Sequence, residues 1–149
     1  MSYSEKVSSK LNDLLARNYD SEKGYQEAAE KVEYGDLKAF FKEKAQERYD
    51  FGHEIKEEIR SFGESPEKGT SIAGDAHRAW MNVKSLFSQN DKEAMVEEAL
   101  RGETTMLENY NEVLEETNLP PSTRNVLIKQ RDAIQGAINN NKMYENIVS

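Results

Sequence analysis

The sequence contains no cysteine, only three prolines and no long apolar run. Without cysteine, the chain can form no disulfide, no thiolate nucleophile and no cysteine-based zinc site. No stretch of about 18 apolar residues occurs, so we expect no transmembrane helix. The opening MSYSEKVSSK has no apolar core of the kind that a signal peptide carries. These absences predict a cytoplasmic protein that is not attached to a membrane.

Clustered positive charge is missing as well. The chain has 20 Lys and Arg against 28 Asp and Glu, which gives a net charge of -8. Nucleic acid is bound through patches of Lys and Arg, so we expect no nucleic-acid partner. The acidity could favour cations, but it serves solubility equally well. A homodimer or a protein partner is left open by the composition.

The pattern of apolar residues predicts an all-α fold. Apolar side chains recur at intervals of three and four and never at intervals of two, which is the period of amphipathic helices. Pro66 and the pair Pro120-Pro121 mark the expected breaks between helices. Ser4, Asp36 and Ser122 are candidate N-caps. The predicted helices cover about residues 4–33, 36–62 and 91–117, with a fourth that begins at Ser122.

The connection between the second and third predicted helices is too long for a hairpin. It contains a shorter amphipathic segment, SIAGDAHRAWMNVKSLF, which includes His77 and Trp80. A connection of this length can travel back along the whole bundle, and two helical hairpins joined in this way form the ferritin-like topology. We therefore expect a single domain, residues 1–149, that folds as a ferritin-like antiparallel four-helix bundle with a long helical crossover.

Four stretches carry a resemblance to a known family. They read GYQEAAEKV, LKAFFKEKAQERYDFGHEI, SIAGDAHRAWMNVKSLF and EEALRGE. Together they resemble the small bacterial ferritin-like four-helix-bundle proteins that are classed as a domain of unknown function. The resemblance implies the bundle fold. By analogy with ferritins, it also implies an expectation of iron and of a stress response. This expectation rests on shared architecture, which does not by itself define activity.

Charged residues from three helices are expected at one height in the bundle. Alignment of the first two helices as a hairpin places Glu22 opposite Arg48, and counting from their turn brings Glu103 of the third helix to the same level. Buried charges are costly unless they are paired. A guanidinium group has five donors and a permanent charge, so it can satisfy two carboxylates. This alignment predicts a buried polar layer of Glu22, Arg48 and Glu103.

The same level could instead hold metal. Ferritin-type dimetal sites take one Glu from each of two helices and a Glu-x-x-His motif from each of the other two. Glu22 and Glu103 match the single glutamates, whereas Glu47-x-x-Asp50 has aspartate in place of histidine. Glu-x-x-His occurs nowhere in the chain. The candidate metal ligands are therefore Glu22, Glu47, Asp50 and Glu103, with His53 recruited if the register shifts.

The fourth helix lacks its share of such a site, because residues 133–139 read AIQGAIN and contain no carboxylate or imidazole. We therefore expect a non-enzymatic binding or interaction protein without a cofactor. A stress-related role is implied by the resemblance. The alternative is a carboxylate-bridged iron or manganese protein with oxidase-like or peroxide-scavenging activity. The sequence assigns no catalytic residue and no cofactor-binding residue.

Overall fold

The computed structural model describes residues 2–66, 92–115 and 118–140. Within these ranges the chain forms four α-helices and no strand, which confirms the all-α prediction and is consistent with a four-helix bundle. The helices are α1 (Tyr3–Lys31), α2 (Gly35–Ser61), α3 (Lys92–Leu114) and α4 (Pro121–Asn139).

Local chemistry explains where these helices begin and end. The side chain of Ser2, not Ser4, caps α1 by accepting the backbone N–H of Glu5 at 3.2 Å. Pro121 occupies the first turn of α4, where its missing N–H has no intrahelical partner in any case. Gly63 has φ +74° just after α2, a left-handed conformation that ends helices and favours glycine.

Two contacts at opposite ends of the bundle define its connectivity. Lys92 Nζ lies 2.7 Å from Asp36 Oδ2, so α2 and α3 begin at the same end. At the other end, the hydroxyl of Thr123 donates to Glu58 Oε1 at 2.8 Å, which joins the start of α4 to the end of α2. Helices α2 and α3 are therefore parallel, whereas α1 pairs with α2 and α3 pairs with α4 as hairpins. The predicted crossover helix around His77 and Trp80 lies outside the described residues.

The apolar interior is divided into two clusters. The upper cluster lies near the α1–α2 turn and the lower cluster near the α3–α4 turn. A fully buried Leu, Ile or Phe contributes about 1.5–3 kcal/mol, so both clusters stabilise the helix packing. The upper cluster consists of Tyr25, Ala28, Ala29, Val32, Leu37, Phe40, Phe41, Ala45, Met95, Val96 and Ala99. The lower cluster consists of Val7, Leu11, Leu14, Leu15, Phe51, Ile55, Ile59, Met106, Tyr110, Val113, Leu114, Leu119, Leu127 and Ile134.

None of the helices in the described ranges has both the length and the apolar character needed to cross a bilayer. Each carries a polar outer face, as expected for helices that bury one side only.

Candidate functional site: a buried charged layer

A charged pair lies between the two apolar clusters. Arg48 follows Phe41 by two turns on the inward face of α2, and Glu103 lies one turn beyond Ala99 on the inward face of α3. The periodicity of each helix therefore carries both side chains into the interior, where each is 1% exposed. Arg48 Nη2 donates to Glu103 Oε2. This charge-assisted contact joins two parallel helices that lie diagonally across the bundle, since α2 and α3 each pack against α1 and α4.

Two further groups contact the glutamate, and a second carboxylate lies beside the two cations. The phenol of Tyr25 donates to Glu103 Oε1 at 2.6 Å. Lys44 Nζ lies 3.7 Å from the same oxygen and 3.7 Å from Glu47 Oε1. Glu47 Oε1 also lies 3.8 Å from Arg48 Nη1. Two cations and two carboxylates are thus brought together, so the layer is balanced in charge without a metal ion.

This arrangement keeps the central pair ionised. Burial alone would raise the pKa of Glu103, but the charges of Arg48 and Lys44 outweigh it and hold that pKa below its ordinary value. Burial likewise opposes the charged form of Arg48, while the carboxylate of Glu103 raises the pKa of the guanidinium above its already high value. The pair is therefore a salt bridge over the whole physiological pH range.

A neutral hydrogen-bond chain continues the layer towards α4. Asn18 donates from Nδ2 to the hydroxyl of Tyr110 at 3.1 Å, and that hydroxyl donates to Gln130 Oε1 at 2.5 Å. Gln130 Nε2 in turn donates to the backbone carbonyl of Phe51 at 3.1 Å. Burial raises the pKa of Tyr110, so its phenol stays protonated and can act as this donor. All four helices therefore contribute a polar side chain at mid-height.

The layer is not fully satisfied by the side chains that the structure describes. Arg48 Nε and Nη1, Asn18 Oδ1 and Glu47 Oε1 are buried and have no hydrogen-bond partner among them. Each such atom carries a desolvation cost of about 1–3 kcal/mol, and more for a charged group. The ion-pair contacts of Glu47 with Lys44 and Arg48 offset part of this cost, and what is left is compatible with a role in fixing register between helices.

The structure places Glu22 differently from the sequence prediction. Its side chain is partly exposed and accepts a hydrogen bond from Gln26 Nε2 at 3.1 Å, and partial burial raises its pKa. The expectation that Glu22 joins the layer is therefore wrong. Tyr25, almost one turn further along α1, is the residue of that helix that contacts Glu103, because it shares the inward face with Asn18 at a spacing of seven residues.

The other candidate ligands do not converge either. Glu47 lies at the edge of the layer with a side chain 29% exposed. Asp50 is exposed and accepts from Gln46 Nε2 at 3.0 Å, and His53 is exposed and stacks on Tyr49 with ring centroids 6.4 Å apart. Within residues 2–66, 92–115 and 118–140, no three Asp, Glu or His side chains are placed to hold one metal ion. The described residues do not fit a dimetal centre.

Four residues of the layer were missed by sequence reasoning: Tyr25, Lys44, Tyr110 and Gln130. For two of them, Lys44 and Gln130, the sequence does contain a signal of burial. Lys44 lies midway between Leu37 and Phe51 at intervals of seven residues, and both are buried. Gln130 likewise interrupts the buried positions Thr123, Leu127 and Ile134 of α4. A polar residue at an otherwise apolar position of a helix is therefore a sign of an interior contact.

The fold and the layer define a class: an all-α bundle protein with a charge-balanced polar interior. Comparison with protein families adds that residues 6–116 match the model of the domain of unknown function DUF2383. The match covers most of the chain, and the chain belongs to that family. No curated protein matches the sequence.

Proposed function

We propose that this chain is a non-enzymatic binding or interaction protein with a ferritin-like architecture. In ferritin-like proteins of the di-iron and di-manganese type, bound metal ions provide the positive charge at mid-bundle. Here we assign that part to Arg48 and Lys44. The observation that carries the proposal is the contact between Arg48 Nη2 and Glu103 Oε2. Neither of these two side chains has any exposed surface.

The surrounding charges support this assignment. A divalent cation next to Glu103 would lie against the guanidinium of Arg48 and close to the ammonium of Lys44, and this repulsion is strong at low effective dielectric. The α4 helix contributes the neutral amide of Gln130, which already donates to a backbone carbonyl and accepts from Tyr110. These interior groups also do not form a catalytic arrangement in which a nucleophile lies beside a general acid or base. A stress-related role is proposed by architectural analogy alone.

Metal analysis tests this proposal. Protein prepared without chelator is examined by elemental analysis, and its melting temperature is measured before and after treatment with EDTA. We expect no stoichiometric iron or manganese and an unchanged melting temperature. A stoichiometric amount of either metal, lost on chelation together with thermal stability, would establish the carboxylate-bridged metal protein instead.

The variant Glu103→Gln sharpens the same test. If Glu103 is a partner of Arg48 and not a metal ligand, this variant changes stability without changing the metal content. Glu108→Gln, an exposed carboxylate on the same helix, is the matched control. A metal content that falls only in Glu103→Gln would contradict the proposal.

A further inference from the structure

A groove of about 790 Å³ runs along the outside of the bundle between α1 and α2. Its floor includes the small side chains of Ala29 and Ala45, which are 4% and 7% exposed. Tyr49, which is 53% exposed, lies at one end. Small residues at the floor allow another chain to come close to the backbone of both helices, and an exposed tyrosine is a frequent contact residue in protein interfaces.

The rims of this groove carry charges of opposite sign. All acidic lining residues come from α1, namely Glu22 and Glu30, and all basic ones come from α2, namely Lys38 and Lys42. Glu30 and Lys38 lie at the same height, because Glu30 is next to the end of α1 and Lys38 is in the first turn of α2. Among the described residues, Glu30, Lys38 and Lys42 form no ion pair that would neutralise them. The groove therefore offers an acidic edge beside a basic edge, and three of the four charges on these edges, those of Glu30, Lys38 and Lys42, are without an ion pair among the described residues.

This segregation of charge is complementary to itself. Consider a second copy placed face to face with the first, related to it by a two-fold axis parallel to the helices. The rotation brings α1 of one copy opposite α2 of the other and preserves height along the bundle. Glu30 of each copy then faces Lys38 and Lys42 of the other. A two-fold interface repeats each such contact, so every favourable pair occurs twice.

We propose that the groove between α1 and α2 is a homodimer interface, and that Glu22, Glu30, Lys38 and Lys42 set its orientation. Glu22 lies about two turns before Glu30 in α1, level with the end of the groove where Tyr49 offers a hydroxyl donor. The inference rests on the proposed interaction role and names its partner as a second copy of this chain. Complementary charges across an interface fix register and exclude other arrangements.

A charge-swap experiment tests the interface. One variant, Lys38→Glu with Lys42→Glu, makes both rims acidic. The other, Glu22→Lys with Glu30→Lys, makes both rims basic. The oligomeric state of each is measured by light scattering coupled to gel filtration and by sedimentation equilibrium, at low salt. Circular dichroism establishes that helix content and melting temperature are retained.

The wild-type chain is expected to dimerise, and each variant alone to dimerise at least about tenfold more weakly. An equimolar mixture of the two variants recovers a heterodimer, because basic rims then face acidic rims. The swap Glu108→Lys with Lys129→Glu, at exposed positions of α3 and α4, is the matched control and leaves dimerisation unchanged. The basic-rim variant also reduces the net negative charge, so its dissociation cannot be ascribed to general repulsion.

Two results would overturn the inference. One is a wild-type chain that stays monomeric at the highest concentration examined, which excludes the groove as a homodimer interface. The other is a dimer that survives both swaps, which places the interface elsewhere. Metal content separates this test from that of the proposed function. A metal-free monomer would contradict the proposed interface and leave the proposed function standing. A metal-loaded dimer that responds to the swaps would contradict the proposed function and leave the interface standing.

Discussion

Arg48 and Glu103 lie 55 positions apart in the sequence, yet their charged groups meet in the interior of the bundle with no exposed side-chain surface. Each is held from a different helix, and each is supported by a second residue of opposite charge, Glu47 and Lys44 respectively. Because buried ions are costly when single and tolerable when paired, the two residues depend on each other. Most of what can be tested in this protein follows from that dependence.

Replacement of the arginine leaves Glu103 buried beside only one cation. Arg48→Met keeps a side chain of similar length but removes the charge, and we expect the free energy of unfolding to fall by about 3–5 kcal/mol. Urea denaturation at pH 7 measures the change. Arg60→Met, which removes an exposed arginine paired with Glu57 on α2, is the control and should change stability by less than about 0.5 kcal/mol. Equal effects in the two variants would contradict the prediction.

The protein should lose stability in acid partly through Glu103. Arg48 and Lys44 hold the pKa of this carboxyl below its ordinary value of about 4.5, so the unfolded chain binds the proton more readily than the folded one. The stabilisation is therefore present above pH 4.5 and is lost as the pH falls through the folded pKa. Unfolding free energies from pH 7 to pH 3 should decline less steeply for Glu103→Gln than for wild type. Glu57→Gln, at an exposed position, should keep the wild-type slope.

Tyr110 links three helices through its hydroxyl. Tyr110→Phe keeps the ring but leaves Gln130 Oε1 without its donor, and it removes one of the two acceptors of Asn18 Nδ2, the other being the carbonyl of Leu14. We expect a loss of about 1–3 kcal/mol in the free energy of unfolding, because buried polar groups would remain unpaired. Thr105→Val removes the hydroxyl of an exposed threonine on the same helix and should cost less than about 0.5 kcal/mol. If both variants melted at the same temperature, the chain from Asn18 to Gln130 would have no energetic significance.

Two glycines should respond in opposite ways to alanine. Gly102 lies inside α3 with no described heavy atom within 4 Å of an added Cβ, so Gly102→Ala should stabilise the protein by about 1 kcal/mol through helix propensity. Gly63 has φ +74°, so Gly63→Ala should destabilise it by roughly 1 kcal/mol or more. Thermal melts of both variants measure the difference. A lower melting temperature for Gly102→Ala would show a hidden packing constraint on α3.

Much of this architecture was predictable because helix period and chain reversal are local properties. The three- and four-residue spacing gave the four helices to within a few residues at the ends that are described. The assumption that the third helix begins beside the α1–α2 turn agrees with the contact between Lys92 and Asp36. Counting along the helices from that turn was therefore enough to bring Arg48 and Glu103 to one height.

The choice of partner on α1 was not predictable in the same way. Glu22 and Tyr25 are three residues apart, which separates them by about 60° around the helix and by less than one turn along it. A charge argument favours the glutamate, but the rotation of α1 is set by the buried series Leu11, Asn18 and Tyr25. Packing decided the outcome. Alignment of the first two helices as a hairpin predicted the height of the layer in the bundle, but it did not predict which side of α1 faces the interior.

The coupling free energy between Arg48 and Glu103 is the most direct test of this account. It is obtained from a double-mutant cycle of Arg48→Met, Glu103→Gln and the double variant, measured by urea denaturation in the presence of EDTA. We predict that the two residues are coupled by at least about 2 kcal/mol and that the coupling is the same without chelator. Additive effects of the two substitutions, or a coupling that appears only with iron or manganese, would contradict the claim that an arginine supplies the positive charge of the layer.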